Sequence, residues 1–282
     1  MIPSILLQNA VDRALREDLH AGDLTSEALI GDEVQCLARA VAKQPLVACG
    51  SEVFARVFYS VDPTLRVEEL VADGAQVEAG TTLYCVEGAA KSVLAGERTA
   101  LNFVQRLAGI ATLARRFVEQ VPAGVNTRIV DTRKTTPGLR VFERHAVRTG
   151  GAFNHRDSLG AGVLIKDNHI AAVGSLTQAI VRARQSAPHA HRIEVEVDSL
   201  EAVEEALAAG ADIIMLDNFV PREVSRALEK IAGRALVEVS GGITLERIAE
   251  FAQPGVDVIS VGALTHSAAA ADISLDLELL GS

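Results

Sequence analysis

The spacing of apolar residues changes partway along the chain. Over residues 4–22 the apolar positions recur at helical spacing, and short apolar or alternating runs follow over residues 37–41, 65–71 and 81–86. Helical spacing indicates an amphipathic helix, and short runs between turn residues indicate strands. We therefore predict a first helix that is capped by Ser4 and stopped at Gly22, followed by a small sheet.

A long helix is predicted over residues 97–121, because apolar residues there recur on one face. Beyond it, apolar runs begin near residues 128, 163, 192, 212, 235 and 257, and helix-length amphipathic stretches separate most of them. Asp198 or Ser199 would cap one of these helices, and Pro221 would open another. Repeated strand-then-helix units predict a parallel sheet.

Alternation along the predicted strands favours a barrel over an open sheet. In IEVEVD, over residues 193–198, the apolar side chains share one face and the acidic side chains share the other. A central strand of an open parallel sheet is apolar on both faces, whereas a barrel strand directs one face into the lumen. The acidic face therefore predicts an α/β barrel, incomplete because only six strands are clear.

Charge narrows the classes of ligand. The 282 residues include 27 Lys and Arg against 37 Asp and Glu, a net charge of −10. This balance gives no general attraction to nucleic acid or to an anionic membrane. Any anionic ligand must therefore be held by a local cluster of cations.

The cysteines and the first residues indicate a reducing compartment. Cys36, Cys49 and Cys85 form no C-x-x-C pair and lie far from any His-rich tract, so their spacing predicts buried thiols rather than a zinc site or a disulfide framework. Residues 1–20 contain neither a signal peptide pattern nor an apolar stretch of membrane-spanning length. We expect a cytoplasmic protein.

Reactive or polar residues follow nearly all of the predicted barrel strands. The active sites of such barrels lie at the C-terminal ends of the strands, so we expect a site there. A cationic set within this acidic chain suits a small ligand with more than one carboxylate or phosphate. Its members are Arg133, Lys134, His155, Arg156 and Lys166.

Two carboxylates and two glycine turns complete this candidate site. Glu196 and Asp217 suit Mg²⁺ or sugar hydroxyls, or they neutralise a lysine inside the barrel. The last two strands end in SGG and VGAL, and backbone N–H groups at such turns suit a phosphate. The P-loop and nucleophile-elbow motifs do not occur, and no G-x-G-x-x-G follows a predicted strand.

Eight segments, in order up to about Ser267, resemble the quinolinate phosphoribosyltransferase family, which comprises the nicotinate-nucleotide pyrophosphorylases of the type II phosphoribosyltransferases. They are GERTALNFVQRLAGIAT, DTRKTTPGLR, NHR, IKDNHI, EVEVDSL, IIMLDNF, EVSGGI and SVGALTHS. The resemblance implies an α/β fold with an N-terminal α/β sandwich and linking helix over residues 1–110. An incomplete α/β barrel over residues 111–270 would follow, and a tail over residues 271–282 would pack back on the N-terminal domain.

The resemblance also implies an activity and a cofactor. Members of the family are pentosyltransferases of NAD biosynthesis. They join quinolinate to phosphoribosyl pyrophosphate with Mg²⁺, giving nicotinate mononucleotide, pyrophosphate and carbon dioxide. A homodimer, or a higher oligomer, is expected, with one subunit completing the site of the other.

Site roles follow from the matching motifs. The cationic set and Thr132 would bind the quinolinate carboxylates, together with Arg98 of the neighbouring subunit. Glu196 and Asp217 would serve the ribose and the metal, the metal through substrate and water. The phosphate would be held by Ser240, Gly241, Gly242, Val261, Gly262 and Ala263. Lys134, Lys166, Glu196 and Asp217 would be catalytic.

The sequence departs from the family pattern at one place, and two other functions are compatible with it. Asp157 and Ser158 follow NHR where the family commonly has an apolar residue and Gly, so the shape or charge of this loop can differ. One alternative is a paralogous phosphoribosyltransferase-like protein associated with molybdenum transport. The other is a barrel without catalysis that binds a phosphorylated ligand.

Overall fold

The computed structural model describes residues 2–281. Contacts divide the described chain into two compact units. The N-terminal unit comprises the residues up to 115, residues 135–151 and the residues from 265 on, and the barrel unit comprises residues 116–134 and 152–264. Each unit is thus assembled from separate stretches of the chain.

The predicted first helix, small sheet, long helix and strand-then-helix units occur in that order, and the first hundred residues contain two further helices that the pattern did not predict. The first half contains α1 (Ser4–Leu19), α2 (Leu24–Leu29), β1 (Gln35–Ala42), β2 (Leu46–Val47), α3 (Ser51–Val61), β3 (Arg66–Glu69), β4 (Gln76–Val77), β5 (Thr82–Ala89), α4 (Ala90–Glu119), β6 (Arg128–Val130) and α5 (Arg140–Thr149). The second half contains β7 (Val163–Ile165), α6 (Asp167–Val173), α7 (Leu176–Ser186), β8 (Ile193–Val197), α8 (Leu200–Ala208), β9 (Ile213–Asp217), α9 (Pro221–Ile231), β10 (Leu236–Ser240), a 3₁₀ turn (Leu245–Arg247), α10 (Ile248–Phe251), β11 (Val258–Ser260), α11 (Ala263–His266) and β12 (Ile273–Leu279).

The N-terminal unit is built on an antiparallel sheet with the strand order β12-β1-β5-β3. Strand β1 buries every second side chain from Cys36 to Ala42, as expected for a half-buried strand. The Phe54 ring of α3 stacks on the Tyr84 ring of β5, with 4.6 Å between the ring centroids. The predicted small sheet is confirmed, and the final strand of the chain pairs with β1.

Two helix starts were predicted wrongly. Ser4 is the first helical residue and Pro3 is the N-cap, so the Ser4 hydroxyl makes no capping hydrogen bond. The long helix runs over Ala90–Glu119 and therefore begins before Glu97, where the sequence pattern placed its start, so that Gly96 lies inside the helix. A Cβ atom at position 96 would lie 2.9 Å from the Phe58 ring, so this glycine sits inside the helix because an aromatic ring packs against it.

The barrel unit contains a parallel sheet with the strand order β6-β11-β10-β9-β8-β7. The last strand lies beside the first, so the sheet curls round as in a barrel. Phe153 adds a parallel bridge to Val130 on the other side of β6, and the described strands show no pairing between Phe153 and β7. The predicted incomplete α/β barrel of six parallel strands is confirmed.

Local signals fix the helices of this unit as predicted. Ser199, rather than Asp198, is the N-cap of α8, and its hydroxyl accepts a hydrogen bond from the Ala202 N–H at 3.3 Å. Pro221 occupies the first turn of α9. Such caps satisfy backbone donors at the helix starts that would otherwise lack partners.

Gly109→Ala should destabilise the N-terminal unit. A Cβ atom at this position of α4 would lie 2.0 Å from the Ala269 carbonyl oxygen, and the crossing segment is fixed there by the Ala271 N–H, which donates to the Gln105 carbonyl at 2.8 Å. Because the obstacle is backbone, we expect the free energy of unfolding to fall by about 1–3 kcal/mol. Chemical denaturation measures the change.

Gly160→Ala is the matched control. A Cβ atom there meets no heavy atom within 4 Å, so the free energy of unfolding should change by at most about 0.5 kcal/mol. Equal stability of the two variants would contradict the close packing of Ala269 on α4.

Candidate active site

A cavity of about 590 Å³ lies at the C-terminal ends of the barrel strands. Parallel strands bring their C-terminal ends to one edge, so side chains that are distant in sequence meet there. Most of the predicted site residues line it. They are Thr132, Arg133, Lys134, His155, Arg156, Lys166, Glu196, Asp217, Ser240, Gly241 and Gly242.

Four predicted site residues do not line this cavity. Val261 is buried, and its N–H donates to the Val130 carbonyl at 2.9 Å. Gly262 follows Val261, and Ala263 begins α11. Arg98 belongs to α4 in the N-terminal unit, where it lines a separate cavity of about 310 Å³. The roles of these four residues stay predictions, as do the roles of the residues that line the cavity.

Lys166 and Glu196 form an ion pair inside the barrel. Lys166 follows β7 and Glu196 belongs to β8, and these two strands are hydrogen-bonded neighbours. The Lys166 backbone N–H donates to Nδ1 of His169 at 3.0 Å, which fixes the start of α6. The lysine position is therefore set from two sides, by a carboxylate at its ammonium group and by a ring at its backbone.

Asp217 lies near the Lys166–Glu196 pair at the end of β9. Burial and the negative charge of Glu196 raise the pKa of the Asp217 carboxyl, while the charges of Lys166 and Lys134 oppose this shift. The Asn218 amide donates to the Asp217 carboxylate at 2.7 Å. Two carboxylates that repel each other in this way offer oxygen ligands to a cation, or hydrogen-bond acceptors to hydroxyl groups.

A glycine turn follows β10 at the edge of the cavity. Gly241 and Gly242 have φ angles of 87° and 59°, in the left-handed region that favours glycine. A Cβ atom on Gly241 would lie 2.3 Å from Oδ1 of Asn218, so a side chain here would clash. Glycine at position 241 is therefore required by both its φ angle and its packing against Asn218.

His155 is held by two carboxylates that the sequence analysis did not include among the site residues. Its Nε2 lies 3.4 Å from Oε2 of Glu194 and 3.3 Å from Oε2 of Glu238. Burial acts to lower the pKa of His155, but the hydrogen bonds and charges of the two carboxylates outweigh it and raise the pKa to about 10. The ring is therefore a cation at neutral pH.

Asp131 fixes the backbone of the same segment. It is buried after β6 and accepts hydrogen bonds from the His155 N–H at 2.8 Å and from the Asn154 amide at 2.6 Å. The alternating acidic face of the strands was the available signal for Glu194 and Glu238. That face predicts the barrel, but spacing along the chain gives no sign that its carboxylates support a histidine from another segment.

Arg133 and Arg156 bring further positive charge to the cavity. Burial and the charge of Arg133 lower the pKa of the Arg156 guanidinium. Arg156 also donates to the Gly162 carbonyl at 3.0 Å, which closes the loop that contains Asp157 and Ser158. Like charges gathered in a partly buried cavity favour an anionic ligand.

Among the described residues, two buried oxygen atoms at the cavity have no hydrogen-bond partner. Within the described chain, Oγ of Ser260 and Oε1 of Glu238 are buried and unpartnered, and both residues line the cavity. Buried polar atoms without partners are costly, so these two atoms mark unmet capacity for a ligand or an ordered water.

An incomplete α/β barrel that gathers cations, carboxylates and a glycine turn at its strand ends defines a class of enzymes that bind small phosphorylated or carboxylated substrates. Comparison with known families narrows this class. The family model "Quinolinate phosphoribosyl transferase, C-terminal domain" matches residues 110–276, and its N-terminal counterpart matches residues 23–108. The chain belongs to the quinolinate phosphoribosyltransferase family.

Individual relatives agree with this assignment. The chain is 43% identical over 277 residues to the nicotinate-nucleotide pyrophosphorylase [carboxylating] of Mycobacterium leprae, covering 96% of each chain. It is 38% identical over 281 residues to the protein of the same name from Homo sapiens, covering 98% of this chain and 93% of the human one. The crystal structure of NadC from Streptococcus pyogenes superposes with a TM-score of 0.95 at 41% identity, covering 100% of this chain and 99% of that one.

The expected family, fold class and class of enzyme are thus confirmed. The chain is a pentosyltransferase of pyridine nucleotide biosynthesis. Among the described helices, none combines the length and the apolar character needed to cross a membrane.

Glu238→Gln should lower the pKa of His155 from about 10 toward its ordinary value of 6.5, because one of the two carboxylates that stabilise the imidazolium becomes neutral. NMR titration of the His155 ring measures the shift. Glu204→Gln is the matched control, since Glu204 is an exposed residue of α8 that pairs with Lys230.

The same pKa sets a dependence of stability on pH. Because the pKa of His155 is higher in the folded state than in the unfolded state, protonation of this ring stabilises the fold. The contribution is complete below about pH 6.5 and is lost as the pH rises toward about 10. The wild type should therefore lose stability over this range more steeply than Glu238→Gln. Parallel curves for the two proteins would contradict the assignment of His155 as a buried cation.

Proposed function

We propose that this chain transfers the phosphoribosyl group of phosphoribosyl pyrophosphate to the pyridine nitrogen of quinolinate and that decarboxylation follows. The products are nicotinate mononucleotide, pyrophosphate and carbon dioxide. The observation that supports this best is one cavity in which several cations lie beside a carboxylate pair and a glycine turn. Quinolinate has two adjacent carboxylates, and its co-substrate has phosphates and ribose hydroxyls.

The cations of the cavity would bind the quinolinate carboxylates. Arg133 and Arg156 offer guanidinium groups, which pair with carboxylates through two parallel hydrogen bonds. His155 adds N–H donors that do not depend on the substrate for their protonation, because Glu194 and Glu238 stabilise the imidazolium. Thr132, Lys134 and Lys166 line the same cavity and would complete this half of the site.

Glu196 and Asp217 would serve the ribose side. Carboxylate oxygens accept hydrogen bonds from sugar hydroxyls, and their negative charge stabilises the positive charge that develops at the anomeric carbon as pyrophosphate leaves. Lys166, paired with Glu196, can keep its position while the substrate binds beside it. Ser240, Gly241 and Gly242 would accommodate the 5′-phosphate at the turn after β10, with Val261, Gly262 and Ala263 at the neighbouring strand end.

These residues also fit Mg²⁺. Glu196 and Asp217 supply hard oxygen donors. Burial and the negative charge of Glu196 raise the pKa of Asp217, and a cation would relieve the repulsion between the two carboxylates. Mg²⁺ commonly keeps several waters and binds through few carboxylates plus substrate oxygens, so we propose contact through substrate and water. When bound, it would neutralise the negative charge of the leaving pyrophosphate.

Decarboxylation needs no further group from the protein. Once the pyridine nitrogen is bonded to the ribose, the ring is cationic and accepts the electron pair left when the bond between C2 and its carboxylate breaks. A proton from solvent then adds at that carbon. The enzyme contributes by holding the second carboxylate, which remains in nicotinate mononucleotide, against the cations.

An incubation with quinolinate, phosphoribosyl pyrophosphate and Mg²⁺ tests the proposal, with nicotinate as the parallel substrate. We expect nicotinate mononucleotide and carbon dioxide from quinolinate and negligible product from nicotinate, which lacks the second carboxylate. Lys166→Ala and Arg133→Ala should each reduce kcat/KM by about 100-fold or more, because both remove a charge from the cavity.

Lys230→Ala is the matched control, since this lysine of α9 pairs with Glu204 outside the cavity. It should retain wild-type kcat/KM. Thermal stabilisation of the folded protein by phosphoribosyl pyrophosphate or quinolinate without product would support a barrel that only binds. Near-normal activity of both cavity variants would overturn the site assignment.

We further propose that the working enzyme is a cytoplasmic homodimer in which Arg98 of a second subunit completes the quinolinate site. Two observations support this. The side chain of Arg98 is 60% exposed, and it does not line the barrel cavity of its own chain. The family resemblance assigns Arg98 to substrate binding. Its exposure is explained if it contacts the quinolinate that is bound in the cavity of a second subunit.

Mixed dimers test this arrangement. Arg98→Ala and Lys166→Ala subunits are each expected to be inactive alone, and a mixture that exchanges subunits should regain activity, because one site per mixed dimer has both residues. A mixture of Lys166→Ala with Arg133→Ala should stay inactive, since both substitutions lie in the same cavity. Failure of the first mixture to regain activity, with subunit exchange demonstrated, would place Arg98 in its own subunit's site or outside catalysis.

A further inference from the structure

Three potential metal ligands meet in the N-terminal unit, outside the barrel cavity. The ligand atoms of Cys49, Asp73 and His145 all lie within 4.8 Å of one another. Cys49 lies between β2 and α3, Asp73 lies between β3 and β4, and His145 belongs to α5. The sequence predicted no zinc site at any cysteine, because the cysteines form no C-x-x-C pair and lie far from any His-rich tract. Cys49, Asp73 and His145 are 24 and 72 positions apart, so no local motif joins them.

The separation of two of these atoms suits coordination better than direct pairing. Nε2 of His145 lies 3.6 Å from Oδ2 of Asp73. This distance is too long for a good N–H···O hydrogen bond. A zinc ion bound tetrahedrally by both atoms, with bonds of about 2.0–2.1 Å, would place them about 3.4 Å apart. Small side-chain shifts would therefore convert the present arrangement into two ligand bonds.

The chemistry of the set is that of zinc. A thiolate, an imidazole and a carboxylate are the three side chains that bind Zn²⁺, whereas Mg²⁺ and Ca²⁺ prefer oxygen donors alone. The Cys49 side chain is buried, while Asp73 and His145 are each 23% exposed. The partial exposure leaves an entry path and room for water as a fourth ligand.

Neighbouring groups orient the three ligands. The Asp73 carboxylate accepts hydrogen bonds from the Gly50 N–H at 3.0 Å and the Ser51 N–H at 3.2 Å, at the start of α3. Thr149, at the end of α5, forms a hydrogen bond with the Cys49 sulfur that favours the thiolate. Supporting hydrogen bonds of this kind are typical of metal sites, where they fix the direction of each ligand.

Without a cation the thiol is held in its neutral form. Burial raises the pKa of Cys49 strongly, and the negative charge of Asp73 adds to the effect. A divalent cation would reverse this balance by compensating both negative charges. On binding, the thiol proton would pass to solvent and the sulfur would bond to the metal.

We propose that Cys49, Asp73 and His145 bind one Zn²⁺ ion, with water as the fourth ligand. The site would link α5 to the segments that precede α3 and β4. Bound metal should therefore stabilise the N-terminal unit against unfolding. The proposal does not depend on the reaction in the barrel, because none of the three residues lines that cavity.

Co²⁺ provides the spectroscopic probe for this site. The intact protein is dialysed against a chelator and titrated with Co²⁺, which replaces Zn²⁺ and absorbs strongly when tetrahedral. We expect a thiolate-to-cobalt charge-transfer band in the near ultraviolet that saturates at one ion per chain and disappears when Zn²⁺ is added. Mg²⁺ in excess should not remove it. A bound ion should also raise Tm.

Variants then identify the ligands. Cys49→Ala should abolish the sulfur band, and His145→Gln should weaken Co²⁺ binding by about 100-fold or more. Cys36→Ala is the matched control, because Cys36 is an equally buried thiol on β1 that belongs to no such cluster among the described residues. It should retain the band.

The outcomes separate this site from the barrel cavity. His155, Glu194 and Glu238 also lie close enough together to hold an ion, but they include no sulfur and would give no thiolate band. Absence of the band in the wild type, or a band that persists in Cys49→Ala, would overturn the proposal. The Co²⁺ titration of the wild type tests the proposal even if the Cys49→Ala variant fails to fold.

Discussion

Two buried carboxylates beneath one histidine support the cationic half of the cavity. Glu194 lies on β8 and Glu238 on β10, with β9 between the two strands, and Oε2 of each lies within 3.4 Å of Nε2 of His155. An isolated charge at such a buried position would be neutralised by a shift in its pKa. When the three groups lie together, the two carboxylates keep the histidine protonated, and the positive ring stabilises negative charge on the buried carboxylates. The positively charged side chains that would bind the substrate can therefore be in place before the substrate binds.

The same principle explains how a chain with a net charge of −10 forms a cavity for anions. Each strand directs alternate residues into the lumen, so the acidic residues of β8 and β10 are placed beneath and beside the cations of the loops. Lys166 is paired with Glu196, and burial with the charge of Glu196 raises the pKa of Asp217. Local grouping, and not the overall charge, decides which ligand the cavity attracts.

The N-terminal unit has a different organisation. It is assembled from three stretches of chain, and its contacts join residues that are far apart in sequence. At Gly109 the segment near Ala269 touches the α4 backbone directly. At Cys49 the long chain separation is bridged by packing, which brings an aspartate and a histidine to a buried thiol. Both features depend on how α4 and α5 pack within this unit, which no local motif encodes.

Local patterns in the chain were sufficient to predict the barrel strands and the polar residues at their ends. Periodicity located the six parallel strands, the acidic face of β8 favoured a barrel, and the motifs around Arg133 and Lys166 identified the family, because these signals are local in the chain. Tertiary structure decided what depends on several segments meeting in space. The start of α4 before Gly96 depends on a ring of α3, the proton on His155 depends on two strands, and the ligands around Cys49 come from three separate segments. Spacing along the chain cannot show such meetings, since it is burial and distance that set each pKa and each contact.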